Sequence, residues 1–135
     1  MYENELLREA KLVLENSYSP YSRFKVGAAI RTKDGKIFTG TNVENASYSL
    51  TMCAERVAIF KAISAGHRLF TDLAIASSEP PTFPCGACRR VLSEFSLEGD
   101  LRISLEGTKK EVFRLTDLLP HACSTESWQA FNTTG

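Results

Sequence analysis

A chain of 135 residues with 16 basic and 16 acidic side chains has the size of one domain, expected to span 1–135, and no net charge. Its apolar fraction of 43% suffices for a core without disulfides, and no run reaches the roughly 18 consecutive apolar residues of a membrane helix. A polynucleotide-binding domain carries a basic excess, so the balance argues against nucleic acid, and the Glu- and Leu-rich start is unlike a signal peptide, so the chain is expected in the cytoplasm.

Leu6, Leu7, Ala10, Val13 and Leu14 recur at helical spacing and predict a helix over 5–14. Residues 16–21 read as a loop. From Phe24 the pattern alternates, with Phe24, Val26, Ala28 and Ile30 on one face and Lys25, Gly27, Ala29 and Arg31 on the other, which predicts a strand. Asp34-Gly35 marks a hairpin turn, and 37–43 returns as the second strand. A helix is predicted over 53–65, with Ala54, Val57, Ala58, Ala62 and Ile63 as its apolar stripe and Gly66 as its stop. A short strand over 73–77, a Pro-rich loop over 79–84, a helix over 86–95 and strands over 101–105 and 112–115 follow. Beyond His121 no element is legible, although Trp128 needs a packing partner. A leading hairpin followed by alternating helices and strands predicts an α/β chain, a mixed sheet with helices on both faces.

The cysteines carry the chemistry. In a cytoplasmic protein disulfides are rare, and a Cys-x-x-Cys points to metal or redox work. Cys53 stands in Thr51-Met52-Cys53-Ala54-Glu55-Arg56; Cys85 and Cys88 stand in Pro84-Cys85-Gly86-Ala87-Cys88-Arg89. Each piece opens a predicted helix, where the helix dipole favours thiolate. Three soft sulfur ligands suit zinc and leave the fourth tetrahedral position open, as in catalytic zinc sites. Glu55, two residues after Cys53, lies on the same helical turn and is placed to take a proton from water. Alone, the Cys-x-x-Cys would also suit a redox pair or half of a structural zinc site, and Cys53 a core thiol. Together, in this order, they point to a catalytic metal. Three thiolates and Zn²⁺ sum to minus one, so Arg56 and Arg89 are expected to donate to the sulfurs and withdraw charge. The plainer alternative makes both arginines partners in surface ion pairs.

These motifs resemble the cytidine deaminase superfamily, whose established chemistry uses a Glu beside a Cys-ligated zinc. The likeness extends to Pro20-Tyr21-Ser22-x-Phe24-x-Val26-Gly27-Ala28-Ala29, to Asn42-Val43-Glu44-Asn45-Ala46-Ser47-Tyr48-Ser49 and to Leu118-Leu119-Pro120, and is strongest to the small homotetrameric members. It implies a three-layer α/β/α fold around a five-stranded mixed sheet. It implies hydrolysis of cytidine or 2′-deoxycytidine to the uridine and ammonia, for pyrimidine salvage, by zinc-activated hydroxide attacking C4. In that reading Cys53, Cys85 and Cys88 hold one Zn²⁺ per subunit, and Glu55 moves the proton to N3 and assists departure of ammonia. Phe24 packs on the pyrimidine ring, the main chain of Ala54 meets the base, and Asn42 with Glu44 clamps the 3′-OH. Ala46 and Tyr48 reach the sugar of a neighbouring subunit's site, so the resemblance implies a homotetramer with composite sites. One position departs from the pattern: Cys123 stands where small members carry a stacking Phe, and Phe113, Trp128 and Phe131 are the candidate replacements.

Three other readings compete. A related deaminase would act on a modified cytosine nucleoside such as blasticidin S, although the 42–48 stretch matches an ordinary sugar site. A polynucleotide-editing deaminase would need the basic surface that the composition lacks. A structural zinc or nucleoside-binding module without turnover would need a fourth ligand, and none is evident.

Overall fold

The computed structural model describes residues 4–122 of the chain. Helix α1 (Glu5–Val13) is capped by Asn4, whose Oδ1 accepts the Leu7 N–H at 3.1 Å. Its buried face, Leu6 and Ala10, follows the predicted period; a 3₁₀ turn (Leu14–Asn16) closes it. Strands β1 (Val26–Thr32) and β2 (Ile37–Thr41) form the antiparallel hairpin around the expected turn. Helix α2 (Ala54–Ser64), strand β3 (Phe70–Ser77), helix α3 (Gly86–Glu94), strands β4 (Arg102–Leu105) and β5 (Phe113–Arg114) and the single turn α4 (Leu115–Leu118) follow.

The five strands lie in the order β2-β1-β3-β4-β5, with β3 and β4 parallel and the other neighbours antiparallel. The sheet is therefore mixed, and helices cover both faces. Side chains alternate across the pleat. Val26, Ala28, Ile30, Leu73 and Ile75 meet α2 in the larger core; Ala29, Ala74 and Ala76 meet Leu6 and Ala10 of α1. Small residues on the α1 face let that helix lie close. A Cβ on Gly27 would overlap the Ala10 carbonyl.

The second strand ends at Thr41 rather than 43 and several other ends shift by one residue; three further boundaries differ from the sequence reading through a long-range partner. The first strand begins at Val26 rather than Phe24 because the Asn42 side chain takes the place of a neighbouring strand. Its Nδ2 donates to the Phe24 carbonyl at 2.7 Å, and its Oδ1 accepts the Val26 N–H at 3.0 Å. The third strand begins three residues early, at Phe70. Its polar Asp72 is tolerated because Arg31 and Arg102 flank it on the two neighbouring strands, at 3.7 and 2.9 Å. The last strand ends at Arg114, and Leu115 instead starts a helical turn. There the Asp100 carboxylate accepts the Thr116 N–H at 3.3 Å, and Leu115 turns into the core.

Candidate active site

Two helix starts converge. Cys53 is the N-cap of α2, Cys85 is the N-cap of α3, and Cys88 lies in the first turn of α3. The Cys53 and Cys85 sulfurs are 3.9 Å apart and the Cys85 and Cys88 sulfurs 3.4 Å. A disulfide needs about 2.05 Å, so these are free thiols. All three lie within 4.8 Å of one another, the one group of three such ligands among the described residues. Tetrahedral zinc with Zn–S bonds of about 2.3 Å sets its sulfurs about 3.8 Å apart, so the donors fit one zinc ion.

The surroundings favour negative sulfur. The Cys88 N–H donates to Cys85 Sγ at 3.4 Å, and Arg56 Nη2 donates to Cys53 Sγ at 3.3 Å. The hydrogen bond with Cys88 outweighs burial and, with Arg56, brings the Cys53 thiol down to about 5. The same sulfur contact, burial and the Glu55 charge push the Cys88 thiol up. A metal binds these residues as thiolates, so its binding releases whatever protons they carry. Arg56 Nε is buried without a hydrogen-bond partner, so attraction to sulfur rather than a full set of bonds holds this guanidinium. The structure corrects the reading of Arg89. Its Nε donates to the Pro84 carbonyl at 2.8 Å and its Nη1 to the Leu118 carbonyl at 2.9 Å, so it ties the approach to Cys85 to α4 instead of reaching sulfur.

Glu55 is 4% exposed. Burial pushes its carboxyl up to about 7, with the Cys53 thiolate adding to the rise and its own N–H and Arg56 opposing it. Such a group holds or releases a proton near neutrality.

A cavity of about 230 Å³ opens beside the cluster, lined by Cys53, Cys85 and Glu55 together with Asn42 and Glu44. Phe24 and Ala54 line its wall, and Tyr48, 69% exposed, stands at its rim. Ala46 is exposed and outside this lining. Asn42 and Glu44 are both buried. Besides its bonds to the β1 entrance, Asn42 Oδ1 accepts the Ser17 hydroxyl at 2.5 Å. Glu44 Oε1 accepts the Tyr21 and Ser22 N–H groups at 3.0 and 3.1 Å, and Oε2 accepts the Ser22 hydroxyl. That hydroxyl, foremost, holds the Glu44 carboxyl below its ordinary range.

Sequence reasoning assigns no role to Ser22, Thr82 or Phe83, which also line the cavity. Ser22 stood inside a recognised motif and was legible there; Phe83, next to Pro84, carried no signal. It is 41% exposed and packs edge-on against Phe113, with ring centroids 5.2 Å apart. Of the candidate replacements for the missing ring, Phe113 stands behind Phe83 rather than among the lining residues, while Cys123, Trp128 and Phe131 lie outside the described residues. A larger hollow of about 460 Å³ beside α4 has no cysteine or carboxylate in its lining. No helix among the described residues is long and apolar enough to cross a membrane.

Comparison with known proteins agrees with this geometry. Residues 2–99 match the model of the cytidine and deoxycytidylate deaminase zinc-binding region. A cytidine deaminase of Sporosarcina psychrophila is 47% identical over 125 residues, covering 90% of this chain and 91% of the relative. The crystal structure of cytidine deaminase from Burkholderia pseudomallei superposes with a TM-score of 0.79 at 45% identity, covering 91% of this chain and all of that one. That of Mycobacterium tuberculosis also reaches 0.79, at 41% identity over 87% of this chain and 93% of the other. With its thiol cluster, its buried glutamate and its fold in agreement, the chain belongs to the zinc-binding cytidine and deoxycytidylate deaminase family.

Proposed function

We propose that this chain hydrolyses cytidine and 2′-deoxycytidine to the corresponding uridines and ammonia, as one domain over 1–135, in pyrimidine salvage in the cytoplasm. The observation that carries the reading is one cavity lined by Cys53 and Cys85 of the three-thiol cluster, by the buried Glu55 and by an amide-carboxylate pair, Asn42 and Glu44. Cys53, Cys85 and Cys88 hold one Zn²⁺ per subunit. When bound, the metal acts as a Lewis acid that makes water nucleophilic near neutral pH. Glu55 takes the first proton of the attacking water and delivers it to N3 of the pyrimidine; it then takes the remaining proton of the hydroxyl newly bonded to C4 and passes it to the amine, which leaves as ammonia. Its burial keeps bulk water from competing for the proton. Phe24 packs on the ring and the main chain of Ala54 meets the base. Arg56 draws charge from Cys53, and Arg89 positions Pro84 ahead of Cys85.

The sugar clamp follows from hydrogen-bond capacity. Asn42 Oδ1 is occupied by Val26 and Ser17, and one Nδ2 hydrogen by Phe24, which leaves one N–H to donate. The Glu44 carboxylate can only accept. A hydroxyl accepts from the first and donates to the second, which suits the ribose 3′-OH. Ala46 and Tyr48 serve the site of a neighbouring subunit in a homotetramer; the exposed Tyr48 and Leu50, 69% and 66%, support such a covering copy.

Ammonia release from cytidine, 2′-deoxycytidine, blasticidin S and single-stranded DNA tests the reading. The first two are consumed and the last two are left. Preferential release from blasticidin S or from DNA overturns it.

A further inference from the structure

Ser22 is an exposed loop residue, yet it lines the cavity and takes part in three hydrogen bonds, two to Glu44 and one from Phe24. Its hydroxyl donates to Glu44 Oε2, and the same oxygen accepts the Phe24 N–H at 3.0 Å. Its own N–H donates to Glu44 Oε1 at 3.1 Å, beside the Tyr21 N–H at 3.0 Å. One hydroxyl therefore touches both the carboxylate assigned to the sugar and the main chain of the ring assigned to the base. A hydroxyl rotor serves as donor and acceptor at once, which an alanine cannot reproduce. The Phe24 carbonyl is fixed separately by Asn42, so Ser22 completes the hold on the Phe24 peptide groups.

We propose that Ser22 is a positioning residue: it aims the Glu44 carboxylate at the ribose 3′-OH and couples that aim to the seat of Phe24, so that the 20–24 loop sets affinity for the sugar. The proposal rests on the reading of Asn42 and Glu44 as the sugar clamp. It adds a residue that acts through Glu44 and Phe24 without itself touching the reacting atoms. Glu44 keeps its two main-chain donors when the hydroxyl is removed, so the carboxylate stays in the cavity but loses its fixed orientation.

Steady-state kinetics of the zinc-loaded protein on cytidine and on 3′-deoxycytidine separate the effects. Ser22→Ala is expected to raise KM for cytidine about tenfold, the size of one lost hydrogen bond to a charged group. KM for 3′-deoxycytidine rises by only about twofold, since the Phe24 side alone is loosened, and kcat on both stays within about twofold. Ser22→Thr, which keeps the hydroxyl, recovers most of the cytidine affinity. An equal rise in KM on both nucleosides, a fall in kcat with KM unchanged, or no change at all overturns the proposal. Should Ser22→Ala fail to fold, Ser22→Thr decides: a cytidine KM raised as much as that for 3′-deoxycytidine overturns it, and a near-native KM on both supports it. Wild-type protein that leaves cytidine intact contradicts the deaminase reading itself, a result distinct from an unselective Ser22 variant.

Discussion

Gly40 on β2 lies directly against the main chain of α2, the helix that opens at Cys53 and Glu55. A Cβ there would lie 2.5 Å from the Ala58 nitrogen, 2.7 Å from the Ala54 oxygen and 3.0 Å from the Val57 carbonyl carbon, all main-chain atoms of α2. Ordinary contact begins at 3.4 Å, so α2 must retreat by 3.4 − 2.5, about 0.9 Å, to admit one methyl group. No flexible side chain can absorb the overlap. Overpacking of this kind costs about 1–3 kcal/mol. The retreat also displaces Cys53 and Glu55, at the start of α2, relative to Cys85 and Cys88 at the start of α3. A displacement near 1 Å at a reacting centre costs about 100-fold in rate. Gly40→Ala is therefore expected to lower unfolding free energy by about 1–3 kcal/mol in urea titrations and to lower kcat on cytidine about 100-fold in protein that remains folded. A variant within about 0.5 kcal/mol of wild type and with unchanged kcat would refute the claim that helix-to-sheet distance sets the site.

Arg56→Gln removes the donor to Cys53 Sγ and is expected to weaken zinc affinity about 10- to 100-fold in competition with a chelator; unchanged affinity and turnover would remove Arg56 from the metal's surroundings. Phe83→Ala removes an aromatic wall of the cavity and is expected to cost about 1–3 kcal/mol of nucleoside binding, read as a raised KM for cytidine; an unaltered KM would return that role to another ring. For Asp100, burial raises the carboxyl, but Arg114, Thr116 and Leu101 outweigh it and hold the group below its ordinary 3.8. Its contribution to stability is fully present above that value and fades as pH falls below it. The stability gap between wild type and Asp100→Asn should thus be full at neutral pH and close in acid; a gap that widens in acid contradicts the assignment.

The elements legible in the sequence were those whose cause is local. Leu6 and Ala10 at helical spacing, the alternation through Ile30 and the Asp34-Gly35 turn need only their neighbours to be understood. Three of the boundaries that moved depend on partners far along the chain: Asn42 standing in for a strand beside Phe24, Arg31 and Arg102 around Asp72, and Asp100 at the start of α4. The convergence of Cys53, Cys85 and Cys88 was legible because their helix-start positions and spacing constrain where the sulfurs lie. Arg89 was misread for the opposite reason. An arginine beside a ligand is equally placed to reach sulfur or main chain, and the carbonyls of Pro84 and Leu118 decided it. Phe83 was illegible because its place in the cavity depends on Phe113 bracing it from behind.

The most direct test is cytidine turnover by protein whose zinc content has been measured, with Glu55→Gln alongside. The account predicts zinc bound in both proteins and a rate in the variant lower by about 100- to 10,000-fold, the contribution of a positioned proton carrier. Zinc-loaded Glu55→Gln protein that deaminates cytidine at the wild-type rate would contradict it.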